Sequence, residues 1–226
     1  MNDPINTTRT VVGVIPAAGY ATRLGAWAGS KEMILVRGRP MIDYLLERFE
    51  AAGAGRTRLT TRTAKTDLVE YATRRGLEVC LGEPPHVGAS IALALDGLDP
   101  GDRVLVGFPD TIWAPVDGFA QLLPLLDVAP VAVGLFTTSQ PERCDVAIVG
   151  SDGRVTGIVT KPARPPSDLI YGALAGRVGA LGDVGAHPEP GGLIDRLARR
   201  SPLPAARLGR LIDLGTPEAL AAADRD

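Results

Sequence analysis

Four places along this chain put charged side chains where a phosphate chemistry could use them. The first is the stretch Val11–Leu35, VVGVIPAAGYATRLGAWAGSKEMIL. Its apolar, partly β-branched run, Val11–Ile15, breaks into Pro16, small residues and Gly19, then meets Arg23 and Lys31. Backbone N–H groups can approach an anion where side chains are absent, and the two cations supply charge. The plain alternative is a glycine loop with surface cations. The second place is Asp110, directly after the apolar run VLVGF and Pro109. A carboxylate there can hold a divalent metal or simply cap a turn. The third is Lys161 in VTKP, which can bind a substrate phosphate or stand solvated at a strand end. The fourth is Asp213 in LIDLGTPEAL, flanked by apolar residues and costly to bury without a partner. A metal would serve as that partner; so would the N–H groups of a helix starting at Thr216, the nearer candidates.

What is missing also has chemical meaning. His86 and His187 are the only histidines; both sit beside prolines, and no metal-ligand spacing links them. No Ser–His–Asp or Cys–His arrangement can be argued. A phosphate oxygen acting as nucleophile is already ionised at neutral pH and needs no general base, so catalysis reduces to positioning and charge. Lys, Arg and Asp without His suit that reaction. The glycine loop has neither the GxxxxGKS/T nor the GxGxxG pattern, so it is neither a P-loop nor a dinucleotide fingerprint. Three lysines, Lys31, Lys65 and Lys161, stand against 21 arginines. A lysine kept against that bias tends to sit where a compact point charge is wanted.

These side chains need a scaffold, and periodicity predicts one. Val11–Ile15 reads as a strand buried on both faces, and the loop Pro16–Arg39 after it is long enough to suggest function. A helix follows on Met41, Ile42, Leu45, Leu46 and Phe49, with Pro40 in its first turn and Gly53 as its stop. Next come a strand over Thr57–Thr61, a helix over Asp67–Arg75 with Asp67 and Glu70 as a capping pair, and a strand over Leu77–Leu81. A second Gly/Pro loop, Gly82–Gly88, leads to a helix over Ala89–Leu98, a strand over Val104–Phe108, a helix over Gly118–Leu126 and a strand over Val131–Phe136. Asp145–Val149 and Val155–Val159 flank SDGR as a hairpin. Tyr171–Ala175 is a short strand, Gly179–Gly192 a loop, Leu193–Arg200 a helix, Leu211–Leu214 a last strand, and Thr216 caps a last helix. Alternating strands and helices imply an α/β fold: Rossmann-like, three-layered, with a mixed, mostly parallel sheet. Residues 1–10 read as a flexible tail and 11–226 as one domain.

Composition bounds the partners. A net charge of −2 over 226 residues argues against non-specific binding to nucleic acid or an acidic membrane. No apolar run approaches the ~18 residues of a membrane span, so a cytoplasmic location is expected. Cys80 and Cys144 read as two buried free thiols rather than a disulfide. Homo-oligomerisation is left open.

The four positions, in this order, resemble the sugar-1-phosphate nucleotidyltransferases (NDP-sugar pyrophosphorylases), glucose-1-phosphate thymidylyl- and uridylyltransferases in particular. That family shows an AAGxGTRL loop followed by PK, an aspartate in an LGD-like segment, an EKP-like segment and an aspartate in a WxDxGT-like segment. Here the corresponding stretches are PAAGYATRLG with SKEMILVRGRPMIDYLL, GFPDTI, TKP and LIDLGTPEAL. The resemblance runs from Val11 to about Ala222. It implies an Mg²⁺-dependent transfer of a nucleotidyl group from an NTP (dTTP or UTP) to a sugar 1-phosphate, in nucleotide-sugar biosynthesis. It also implies roles. Ala18, Gly19, Thr22 and Arg23 would wrap the nucleotide phosphates, and Lys31 would bind a phosphate in the transition state. Gly88 would lie against the base. Asp110 and Asp213 would hold Mg²⁺, Lys161 the sugar phosphate, and Gly172 would lie near the sugar. The chain departs from the pattern at Tyr20–Ala21, where a second glycine is usual. It departs again at Ser30 for proline, Phe108–Pro109 for Leu–Gly and Thr160 for glutamate, and it is short for the family. Two other expectations therefore stand beside the first: a cytidylyltransferase acting on a non-sugar phosphate, and a non-catalytic nucleotide-binding regulator.

Overall fold

The computed structural model describes residues 10–20 and 29–223; the expected tail, over 1–9, lies outside them. In chain order the strands are β1 (Val11–Pro16), a short ribbon of β2 (Leu35–Val36) and β3 (Arg39–Pro40), β4 (Arg56–Thr61), β5 (Glu78–Leu81), β6 (Arg103–Gly107) and β7 (Thr111–Trp113). They continue as β8 (Val131–Thr137), β9 (Asp145–Val149), β10 (Val155–Thr160), β11 (Leu169–Arg177) and β12 (Ala205–Asp213). The helices are α1 (Met41–Ala51), α2 (Thr66–Arg74), α3 (Val87–Leu95), α4 (Gly118–Leu122), α5 (Pro190–Arg200) and α6 (Pro217–Ala223).

The main sheet has the order β5-β4-β1-β6-β11-β8-β12-β7, with the β9–β10 hairpin joined to β11. β4 and β6 flank β1 in parallel, β5 runs parallel to β4, and β12 to β8. β11 runs antiparallel between β6 and β8. This is the mixed, mostly parallel sheet expected. The period-2 alternation of side chains sends Ile15 to one face and Val12 and Val14 to the other. α1, α2 and α4 cover the first face, packing on Ile15, Leu59, Leu105 and Phe136. α3 and α5 cover the second, packing on Val12, Val14, Val104 and Val106. Gly13 is required where it stands: a Cβ there would lie 2.5 Å from the Phe49 ring that α1 lays on β1.

Because β4 lies on one side of β1 and β6 on the other, a crevice opens at their carboxyl ends, where ligands of such sheets bind. β11, running the other way, starts at that same end. β12 ends there with Asp213, paired opposite Thr111 of β7, and the β9–β10 hairpin returns there with Thr160 paired to Asp145.

Several local expectations need correction. The stretch over 29–40 is not structureless: it holds a 3₁₀ turn, Lys31–Met33, and the β2–β3 ribbon. Asp67 is not the N-cap of α2, which starts at Thr66, although its Oδ1 accepts from the Leu68 N–H in the first turn. Its carboxylate reaches out to Ser30, accepting from the Ser30 N–H at 2.8 Å and the hydroxyl at 2.6 Å, because a long-range partner offers two donors. The helix expected from Ala89 begins at Val87, so Gly88 is helical; His86 is its cap, Nδ1 accepting from the Ala89 N–H. The segment after Gly118 tightens from helix to 3₁₀ at Leu123, ahead of Pro124. β11 and β12 extend well beyond the stretches expected, and β7 had no signal, since its pairing partner lies a hundred residues away in sequence. Helix α5 starts at Pro190, inside the expected loop. Cys80 and Cys144 are free and half-buried.

Candidate active site

Of the residues singled out by the sequence, Lys31, Asp110, Lys161, Gly172 and Asp213 meet at the carboxyl end of the sheet. Lys31 opens the 3₁₀ turn, and its Nζ donates to Asp110 Oδ2 at 2.6 Å. Asp110 follows β6 in a turn closed by the Thr111 N–H and hydroxyl on the Phe108 carbonyl. Its own carbonyl accepts from the Leu214 N–H at 2.8 Å, which ties it to the strand end carrying Asp213. Asp213 Oδ1 accepts from the Gly215 N–H at 2.7 Å. The N–H partner anticipated for Asp213 therefore comes from the turn, while Thr216 caps α6 through the Ala219 N–H.

Lys31, Asp110, Asp213, Lys161 and Gly172 all line one cavity of about 480 Å³. They come from five places spread over more than 180 residues of chain. Lys161 has φ +40, one of two described non-glycine residues in the left-handed region; such backbone costs about 1–2 kcal/mol and concentrates at functional sites. Gly172 lets β11 pass close: a Cβ would lie 2.3 Å from Leu211 and 2.9 Å from the Phe136 ring.

Ala18 and Gly19 line a second, smaller cleft of about 150 Å³, with Tyr20, Arg62, Pro84 and His86. Val87 borders both spaces. Arg62 ties the walls of the cleft together: it donates to the Ala18 and Pro84 carbonyls, pairs with Glu83, and lies 4.0 Å from the Tyr20 ring. Gly88 faces protein in the direction of its missing side chain, where a Cβ would meet the His187 carbonyl oxygen at 2.0 Å. Ala21, Thr22 and Arg23 lie outside the described residues.

The cavity adds residues that the sequence reading missed, among them the ionisable Arg143, Asp145, Tyr171 and Glu189. Burial raises the Asp145 carboxyl and the charge of Glu189 adds to this, against the pull of Lys161. Burial, then Asp145 and Glu189, push the Tyr171 hydroxyl well up; its oxygen accepts from the Gly191 N–H at 3.0 Å. Asp145 opens a buried strand beside Cys144, but only the strand register, opposite Thr160, turns it toward Lys161.

Among the described residues no three His, Cys, Asp or Glu side chains cluster as a metal cage. Two carboxylates on one cavity wall are nonetheless the donor set that suits Mg²⁺, a hard ion that takes one or two carboxylates and completes its shell with water and substrate phosphates. No described helix is long and apolar enough to cross a membrane.

Known proteins resemble this chain over most of its length. The model of the MobA-like NTP transferase domain matches residues 13–204. The 3-deoxy-manno-octulosonate cytidylyltransferase of Rhodopseudomonas palustris (strain BisB18) is 31% identical over 235 residues, covering 94% of this chain and 91% of that protein. The Glaesserella parasuis serovar 5 protein of the same name is 31% identical over 122 residues, 54% of this chain and 44% of that one. Among solved structures, a Bacillus anthracis protein described as a glucose-1-phosphate thymidylyltransferase superposes with a TM-score of 0.84 at 19% identity, over 96% of this chain and 94% of that one. A UDP-glucose pyrophosphorylase from Acinetobacter baumannii gives 0.78 at 19% identity, over 95% and 92%. At these identities the structural likeness is one of fold.

Proposed function

The chain belongs to the MobA-like NTP transferase domain family and is a nucleotidyltransferase, and from that premise we propose that it transfers a nucleotidyl group from an NTP to a sugar 1-phosphate. The observation that carries this reading is the convergence of Lys31, Asp110, Asp213 and Lys161 on one cavity. Lys161 holds the acceptor phosphate with one oxygen directed at the α-phosphorus. That oxygen forms the new O–P bond, the bond from the α-phosphorus to the bridging oxygen of the β-phosphate breaks, and pyrophosphate leaves. No proton moves, which accords with a cavity wall lacking histidine. Lys31 offsets charge building on the leaving phosphates, and Arg23, with Ala18, Gly19 and Thr22, is assigned to the same phosphates from its place in the loop. Asp110 and Asp213 would hold Mg²⁺, which when bound draws charge from the phosphate oxygens. The cleft between Ala18–Tyr20 and Pro84–His86 takes the base, with Gly88 behind it. Glu189 and Asp145 stand at the acceptor end, where they can accept from sugar hydroxyls.

The sequence resemblance points to dTTP or UTP as donor. A second reading has its own support, the cytidylyltransferase from R. palustris that aligns over nearly the full chain: CTP as donor and 3-deoxy-manno-octulosonate, or a related acceptor, in the cavity. A panel of dTTP, UTP, CTP, ATP and GTP against hexose 1-phosphates and 3-deoxy-manno-octulosonate, read as Mg²⁺-dependent pyrophosphate release, separates them. Turnover with dTTP or UTP and a hexose 1-phosphate is the expected result; turnover with CTP and the sugar acid alone replaces the first reading with the second.

A further inference from the structure

Of three lysines in an arginine-rich chain, two line the cavity. The third, Lys65, does not, yet all its donors are engaged. Its Nζ donates to the Ala17 carbonyl at 2.8 Å and to both carboxylate oxygens of Glu32, at 3.0 and 2.9 Å. Those three acceptors match the three donors of an ammonium group. Glu32 is completely buried. Ala17 directly follows β1 and Glu32 directly follows Lys31, so one ammonium joins the two ends of the segment that contains Gly19 and Arg23. Two residues beyond Lys65, Asp67 grips Ser30 by its N–H and its hydroxyl. Lys31 thus has both chain neighbours anchored, and both anchors come from the single turn Lys65–Asp67 at the start of α2.

We infer that Lys65 is a positioning residue: through Glu32 and Ala17 it sets where Lys31 Nζ stands relative to Asp110 and the end of β1. The inference rests on the nucleotidyltransferase reading of the site. Stability alone is a weak reason for such a pair, because removing two charges from water costs several kcal/mol, and apolar residues of the same volume often serve as well or better. A fixed register between β1 and Lys31 is something apolar residues would not supply. Lys31 has a long, rotatable stem, and misplacing a charge by 1 Å can cost on the order of 100-fold in rate.

The experiment compares Lys65→Met, Glu32→Leu and the double variant. Either single change buries an unpaired charge or polar group and lowers the melting temperature. The double change removes both charges and restores much of the melting temperature. In the double variant kcat is expected to stay down by about 10- to 100-fold with the acceptor KM unchanged, since Lys161 is untouched. A double variant that recovers both stability and kcat overturns the inference. A second readout needs no turnover. With three lysines, ¹³C-lysine labelling gives three resolvable Cε signals, and the Lys31 signal, assigned through Lys31→Arg, reports its contact with Asp110. It should move in the double variant toward the value it takes in Asp110→Asn; an unmoved signal overturns the inference. If the wild type turns over no NTP with any acceptor, the parent reading fails while this signal still decides the positioning claim. Should the double variant not fold, Glu32→Gln, which keeps shape and one acceptor, is read by the same signal with the same two outcomes.

Discussion

Two glycines look alike in the sequence, and the structure surrounds them differently. A Cβ on Gly88 would stand 2.0 Å from the His187 carbonyl oxygen and 2.5 Å from that of Val184. Both are backbone atoms and cannot swing away. Ordinary contact needs more than 3 Å, so Gly88→Ala must push α3 and the segment 184–188 apart by on the order of 1 Å. Overpacking of this kind costs about 1–3 kcal/mol, and two backbone obstacles place this site at the upper end. Helix propensity favours alanine by about 1 kcal/mol, so roughly 2 kcal/mol remains, and at roughly 2–4 °C per kcal/mol for a domain of this size the melting temperature should fall by roughly 4–8 °C. The displaced segment leads to Glu189 at the cavity, so the acceptor KM should rise as well. No atom of the described residues lies within 4 Å of a Cβ built on Gly19. Gly19→Ala should leave the melting temperature within about 2 °C and, on the proposed assignment of this loop to the NTP phosphates, raise the NTP KM at least ~10-fold. Differential scanning fluorimetry with steady-state kinetics checks both. A Gly88→Ala protein as stable as wild type, or a Gly19→Ala protein with an unchanged NTP KM, refutes the reasoning for that glycine.

Lys161→Gly relieves the left-handed backbone at φ +40 while removing the acceptor's cation: thermal melts should show stability held or slightly raised, and kinetics an acceptor KM at least ~10-fold higher, by the usual weight of a charge-assisted contact. Burial acts to raise the Asp67 carboxyl, but the Ser30 hydroxyl and N–H and the Leu68 N–H outweigh it and hold Asp67 below the usual carboxylate range. A lowered folded pKa contributes stability above the unfolded value of about 3.9 and loses it as pH falls through the folded value. The melting-temperature gap between wild type and Asp67→Asn should therefore be constant from pH 8 to about pH 5 and close below about pH 4; a gap that widens in acid would contradict the Ser30–Asp67 link.

Much of this site was legible because its chemistry sits at strand ends. β1 and β6 are continuous apolar runs, and the rule that parallel strands discharge their ligands at the carboxyl end led straight to Gly19, Lys31 and Asp110. What stayed hidden depends on pairing across long sequence distances. Asp145 reads as an ordinary strand start until the register sets it opposite Thr160. Asp67 looks like a helix cap because a local rule sees Glu70 three residues on; it cannot see Ser30, 37 residues away. Glu32 carries no signal as a buried carboxylate, since the residue that makes its burial tolerable, Lys65, belongs to another element. Gly88 was marked as a ligand-facing glycine, whereas its tightest constraint is the backbone of a 3₁₀ segment nearly a hundred residues later.

The central claim is that a nucleotidyl group passes to a phosphate held in the cavity, with Asp110 and Asp213 holding the metal. The most direct measurement is the rate of Mg²⁺-dependent pyrophosphate release from NTP and hexose 1-phosphate by the wild type, beside Asp110→Asn. The account predicts release that needs both substrates and Mg²⁺, and a fall of about 10²–10³ in kcat on substitution, the usual weight of one preorganised charge at a reacting centre. Release by Asp110→Asn at the wild-type rate, or none by the wild type with any donor and acceptor, would contradict it.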